Sequence, residues 1–392
     1  WYNLGVFKLS PSGNLLDWNL IGEINHNYWA GTLGGTLITT NDGHLAFSTH
    51  VSDAASTFGV LFKLSLNLDT LWKREYISEI TSPQTRKVSQ TSDGCYLMVG
   101  VDYPGGTYYD GLLLKTDSLG NEMWRQVYGV ETIYSEYLTN VIESSDGGYL
   151  IGGMRKETEY LDHTLDAMII KTDSLGNEEW TQTYGNPNVD DDMALVALAG
   201  DGNYLVATVY GEWIIAPEAR TGRIYLMKVG ADGDTIWSKK IGPKMYASYL
   251  KNLRPTPDDN FIASGFFIDS TDNYIYKGFM YKFSQEGDSI WMRYYSHFNN
   301  QYDWNLFYDA YPTSDNGYIA IGKARPDMGG NNKMWIVKVD SMGCDTPGCA
   351  TGVQVFDIPA GDQQEVWVWP NPASGVFKVQ SLPAGQAGLK FK

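Results

Sequence analysis

Apolar and polar positions along this chain recur in a fixed order, and no repeat shows helical periodicity. An almost unbroken apolar run such as LLLK or AMIIK leads into DSLGN. An alternating stretch follows, in which Trp180, Gln182 and Tyr184 share one side of a two-residue period. The unbroken run suits a strand covered on both faces, and the alternating one a half-covered outer strand. After a variable segment comes a strand ending at Asp42-Gly43, Asp93-Gly94, Asp146-Gly147 or Asp201-Gly202, with Asp258-Asp259 and Asp315-Asn316-Gly317 in the corresponding places. Asp-Gly between apolar runs predicts a hairpin. A fourth run, such as YLIGG from Tyr149, completes the unit.

The unit repeats. Its lysines are Lys8, Lys63, Lys115, Lys171, Lys228, Lys282 and Lys338, in steps of 55, 52, 56, 57, 54 and 56 residues. Its tryptophans are Trp18, Trp72, Trp124, Trp180, Trp237 and Trp291, with Cys344 in the seventh place. Four strands per unit of about 50 residues predict an all-β chain, a β-propeller of four-stranded antiparallel blades. The first unit holds only its last two strands, so the expected complete count is seven blades, with six as the alternative. The propeller is expected over residues 1–343, a linker over 344–364, and a separate β-rich piece over 365–392. Both tight turns of a blade should lie on one face of the disc and both long connections on the other.

Composition narrows the partners. Net charge is −17, from 29 basic against 46 acidic residues, which disfavours a nucleic-acid groove or an anionic membrane surface. No apolar run is long enough to cross a membrane as a helix. Cys344 and Cys349 bracket a Pro-Gly turn and are expected to close a small disulfide loop in an oxidising compartment. Cys95, beside the Asp93-Gly94 turn, is expected as a buried filler.

Residues 365–379, EVWVWPNPASGVFKV, are two β-rich runs around a Pro-Asn-Pro turn. They resemble the start of the type A sorting domain of the type IX secretion system of Bacteroidetes, through Pro370, Asn371, Pro372, Gly375, Phe377 and Val379. The resemblance covers the last 28 residues. It implies a protein carried across the outer membrane by the type IX translocon and its outer-membrane shuttle, to the cell surface or the medium. The Asp, Gly and Trp of DSLGNEEW also resemble the tryptophan-docking motif of quinoprotein propellers, where their role is to lock blades together.

Catalytic motifs are sparse. There is no Gly-x-Ser-x-Gly, phosphate loop or His-Glu-x-x-His. His44 and His50 share a strand but lack a third ligand. Asp190-Asp191-Asp192 and Asp269, Asp272 and Asn273 are acidic loop clusters that could hold calcium; no other cofactor is implied. The variable loops are rich in aromatics, and Tyr108, Tyr109, Tyr160, Trp213, Tyr274 and Trp304 are the candidate ligand-binding residues, because exposed Tyr and Trp anchor sugar and protein surfaces. The expected function is binding of a glycan or protein ligand through the loop face. The alternatives are a polysaccharide-acting enzyme, which requires a convergent ionisable cluster in the axial pocket, and a structural component of the cell surface.

Overall fold

The computed structural model describes residues 4–10, 14–23, 25–29, 37–105, 108–129, 134–157, 165–186, 189–216, 219–272, 274–326 and 332–345. These residues form strands and turns, and no helix occurs among them. Strands β1 (Leu4–Leu9) and β2 (Leu15–Ile21) pair only with each other. A second sheet contains β3 (Asn27–Trp29), β4 (Leu37–Thr39), β5 (Leu45–Ser52), β6 (Thr57–Leu64) and β7 (Thr70–Tyr76), with β3 and β4 both on β5. Two four-stranded meanders follow: β8 (Gln84–Gln90), β9 (Tyr96–Asp102), β10 (Asp110–Thr116) and β11 (Glu122–Tyr128), then β12 (Tyr134–Glu143), β13 (Tyr149–Glu157), β14 (Leu165–Thr172) and β15 (Glu178–Tyr184).

The remaining strands are β16 (Leu195–Leu198), β17 (Tyr204–Ala216), β18 (Ala219–Val229), β19 (Thr235–Pro255), β20 (Phe261–Asp269), β21 (Ile275–Phe283), β22 (Ser289–Tyr295), β23 (Trp304–Pro312), β24 (Tyr318–Arg325) and β25 (Lys333–Val339). They form one continuous sheet, a departure from the separate blades that the repeat predicts. Its cause is β19, which serves as the outer strand of one blade and runs on as the inner strand of the next. The strand turns the corner through left-handed residues, Gly242 (φ 76°) and Ala247 (φ 41°), without leaving the ladder. A single parallel bridge, Tyr276 to Trp304, links the following blade to the last. The architecture is a β-propeller.

The repeated residues make recurring contacts. Every lysine from Lys63 to Lys338 reaches the aspartate of its own Asp-Gly turn, at 2.8 Å in Lys63–Asp42, 2.7 Å in Lys171–Asp146 and 2.6 Å in Lys282–Asp258. Lys63 and Lys115 also donate, at 2.8 Å, to Tyr96 and Tyr149 of the following blade. Lys63, Lys171, Lys228 and Lys282 are buried, and a buried ammonium needs such a partner. Trp180 and Trp291 each donate their indole N–H to a carbonyl of the following blade, Ala231 at 3.1 Å and Ser341 at 3.0 Å. The likeness to a blade-locking motif therefore has a counterpart in contacts of this chain.

A second regularity lies near the axis. In β8, β12, β19 and β23 the inner strand carries a bulge, at Thr85/Lys87, Leu138/Asn140, Leu250/Asn252 and Phe307/Asp309. Opposite each bulge stands glycine: Gly100, Gly153, Gly265 and Gly322. A β-carbon on Gly100 would lie 1.9 Å from the carbonyl oxygen of Gln84, so only glycine admits the bulged backbone. Where the equivalent residue is Thr49 or Thr208, its hydroxyl instead donates to the neighbouring carbonyl of Trp29 at 2.5 Å or Asp192 at 2.7 Å. The bulges re-aim the inner side chains toward the axis.

Between β1, the middle of β5 and the blade of β23 to β25 lies a cavity of about 530 Å³, bordered by Val6, Phe47, Ile319, Ile321, Met334 and Ile336. It adjoins the edge of β1 that has no strand partner among the described residues.

Candidate functional site

As predicted, tight turns join the first two and the last two strands of the four-stranded blades, so the connections between middle strands share the opposite face; those of β5–β6 and β17–β18 are, however, no longer than the turns. Two groups of rings stand at that loop face. Between the blade of β20 to β22 and that of β23 to β25, Tyr246, Tyr274 and Tyr302 follow one another at centroid separations of 6.1 and 6.0 Å, the second pair stacked. Tyr274 and Tyr302 are 41% and 46% exposed, and both hold a left-handed backbone, at φ 55° and 61°. A bulky residue in that conformation is strained, typically by about 1–3 kcal/mol. Beside them Trp304 packs at 5.5 Å from Tyr276, under the guanidinium of Arg325 at 4.0 Å and the ammonium of Lys323 at 4.9 Å.

The second group joins β9, β10 and β12. Tyr103, Tyr109 and Tyr137 form a row at 5.2 and 5.5 Å, and the Arg86 guanidinium lies 5.8 Å over Tyr137. Arg86 is the extra residue of the β8 bulge. Burial pulls its pKa down, and it in turn adds to the burial that lowers His50 to about 4. His50 stacks on Trp29 at 6.1 Å.

Four residues occupy one repeat position, just after the bulge of an inner strand: Lys87, Asn140, Asn252 and Asp309. Asn140 joins its blade to the next, donating to the Val196 carbonyl at 2.8 Å. Asn252 donates to the Asp309 carboxylate in the same way. Arg254 grips Asp309 with two nitrogens, at 3.0 and 3.2 Å, and stacks 3.7 Å over Tyr311. Burial opposes the charge of Arg254, but Asp309 and Tyr311 outweigh it and raise its pKa. Lys87 donates to the Asn252 side-chain amide oxygen, Oδ1, across the axis at 3.4 Å. Burial, then the Arg254 charge, brings Lys87 down to about 7, with Asp309 only partly offsetting them. Lys87 as a whole residue is half-buried. A lysine so poised is a base, or an anion ligand that charges as pH falls.

The structure brings together Tyr274 and Trp304, on one seam, and places Tyr109 in the second row. Tyr108 is half-buried beside it. Trp213 lies in β17, opposite Thr221, with its side chain outside the described part; Tyr160 lies outside the described residues altogether. The sorting-motif residues 370–379 and Cys349 are likewise outside them, whereas Cys344 is buried with its amide donating to Asp340 at 2.9 Å. Cys95 is half-buried, not the buried filler expected.

The acidic loops have internal partners. Asp190 accepts the Leu165 amide at 3.0 Å, Asp191 those of Asn186 and Gly211 at 2.7 and 2.5 Å, and Asp192 that of Leu250 at 2.6 Å. Asp269 and Asp272 share the Lys277 ammonium, at 2.9 and 2.7 Å; Asn273 is not among the described residues. Among the described residues no group of three His, Cys, Asp or Glu, His44 and His50 included, could hold a metal. The axial cluster is the feature that sequence reasoning missed. Its signal is the polar residue four places before the Ser or Thr opening the Asp-Gly-type turn: Lys87, Asn140, Asn252 and Asp309.

No family model and no curated protein matches the chain. Solved structures share its fold. An ulvan lyase bound to a -[GlcA(1-4)Rha3S]- glycan aligns with a TM-score of 0.50 and 10% identity, over 84% of this chain and 82% of its own. The α-L-arabinofuranosidase Arb93A of Fusarium graminearum, in complex with an iminosugar inhibitor, aligns at 0.51 and 9%, over 86% and 98%. At such identity the likeness is one of fold.

Proposed function

We propose that this protein is an extracellular, seven-bladed β-propeller that binds a glycan on its loop face. The observation that carries the reading is the Tyr274–Tyr302 pair. Two bulky residues accept a left-handed backbone so that two exposed rings stack at a blade seam, and strain of this kind collects where a ligand is held. Flat, rigid rings with a polar tip are suited to sugar faces and lose little conformational freedom on binding. The ulvan lyase and the arabinofuranosidase were each captured with a sugar-like ligand, which accords with the reading. Titration of neutral and acidic oligosaccharides into the protein tests it, with loss of binding expected in Tyr274→Ala and Tyr302→Ala.

A second reading is a polysaccharide-acting enzyme, favoured by the axial Lys87. A lysine near neutrality beside Arg254 and Asp309 is equipped to take a proton from a bound sugar. Product formation from acidic polysaccharides, abolished in Lys87→Met, is the outcome that reading requires.

Export through the type IX translocon belongs to the same proposal and rests on the motif from Pro370 to Val379. Deleting residues 365–392 is expected to leave the protein in the periplasm; normal export of the deletion refutes this part.

A further inference from the structure

We propose that Arg86 and Lys87, side by side at the β8 bulge, form an anion site that holds the carboxylate or sulfate group of an acidic sugar. The inference rests on the glycan-binding reading above and names the class of ligand. Its first ground is pairing. The repeat lysines each have their turn aspartate, and Arg155 and Arg254 have Glu136 and Asp309. Arg86 and Lys87 have no ion pair among the described residues. The charged and titratable groups facing Arg86 are Tyr109, Tyr137 and His50; those facing Lys87 are Arg254 and Asp309. Asp309 is already held by Arg254 and Asn252 and offsets only part of the burial of Lys87. Two adjacent basic side chains with no ion pair of their own, in a protein of net charge −17, mark a place where the fold bears a desolvation cost that a bound anion would relieve.

The second ground is construction. The β8 bulge exists because Gly100 admits it, and Arg86 is the residue it inserts. At the inserted place the blades of β12, β19 and β23 carry Thr139, Lys251 and Tyr308. At the next place, where those blades carry Asn140, Asn252 and Asp309, this one alone carries lysine. The tyrosine row of Tyr103, Tyr109 and Tyr137 runs from the loop rim to Arg86, so a sugar lying on those rings would bring its acidic group to the guanidinium. A guanidinium fork suits a two-oxygen anion, and an ammonium supplies a point charge beside it.

The test is calorimetric titration of the whole protein with three probes: free glucuronate, inorganic sulfate and a neutral hexasaccharide. Glucuronate or sulfate is expected to bind wild type, more tightly at about pH 6 than about pH 8.5, because Lys87 gains its proton across that window. Arg86→Gln and Lys87→Gln are each expected to weaken that binding about tenfold or more, with their thermal midpoints recorded to confirm folding. Comparing the two anions tells a carboxylate from a sulfate ester as the natural group. No binding of either anion by wild type overturns the inference, as does equal binding by folded variants. The neutral hexasaccharide separates the two proposals: its binding, lost in Tyr302→Ala, sustains the glycan reading even where the anion site fails. Anion binding without it sustains the site alone.

Discussion

The indole of Trp124 lies against Gly176 of the following blade, so closely that a β-carbon on that glycine would sit 2.8 Å from the ring. Gly176 also needs φ of 79°, which closes the Asp173 turn, and its carbonyl accepts the Tyr128 hydroxyl at 2.7 Å. The same contact recurs at Gly120 on Trp72 and Gly343 on Trp291. Gly176→Val is therefore expected to destabilise the protein by about 2 kcal/mol or more, from overpacking and left-handed strain together. Denaturant midpoints read the effect; an unchanged midpoint would mean that the seam yields freely.

Acid should loosen the blades in a defined window. Asp201 is lowered to about 2 by the hydrogen bond from Lys228, and Asp258 to about 2 because Lys282 and Thr256 outweigh its burial. A carboxylate with a folded-state pKa below its unfolded value stabilises the fold above about pH 4, and this contribution disappears as pH falls toward 2. Thermal midpoints should drop across that interval. Lys282→Met should flatten the drop, and an equally steep profile in that variant would contradict the pairing.

Lys87 carries the opposite sign. Its folded-state pKa, about 7, is below that of an unfolded lysine, so its penalty is full below pH 7 and fades as pH rises toward about 10. Lys87→Met is expected to stabilise the protein near pH 6 by about 1–3 kcal/mol and to gain nothing near pH 10. A loss of stability at both values would show that the amine is a structural partner rather than a strained one.

Stability and binding should part company at the tyrosine pair. Asparagine tolerates a left-handed backbone better than tyrosine, so Tyr274→Asn and Tyr302→Asn are expected to keep or raise the thermal midpoint while weakening oligosaccharide binding about fivefold or more. A midpoint that falls with binding unchanged would make the rings a packing device.

The repeat was legible because Lys63, Trp124, Gly176 and their equivalents each make the same contact once per blade, so selection for one contact leaves one residue at one interval. Tyr274 and Trp304 were legible as loop aromatics, and their seam is where the chain brings them. The axial cluster was not. A bulge adds one residue to the inner strand, so Arg86 and Lys87 fall out of the two-residue period, and the partner of Lys87 is Asn252, 165 positions away across the axis. The run-through of β19 was hidden for a related reason: a bend at Gly242 and Ala247 keeps the ladder that a turn would have broken.

The most direct measurement is a crystal structure of the protein soaked with an acidic oligosaccharide. Sugar density is expected on the loop face, over Tyr274 and Tyr302 or along Tyr109 and Tyr137 with its acidic group at Arg86. Ordered sugar confined to the tight-turn face or to the cavity beside β1, with the loop face bare, would contradict it.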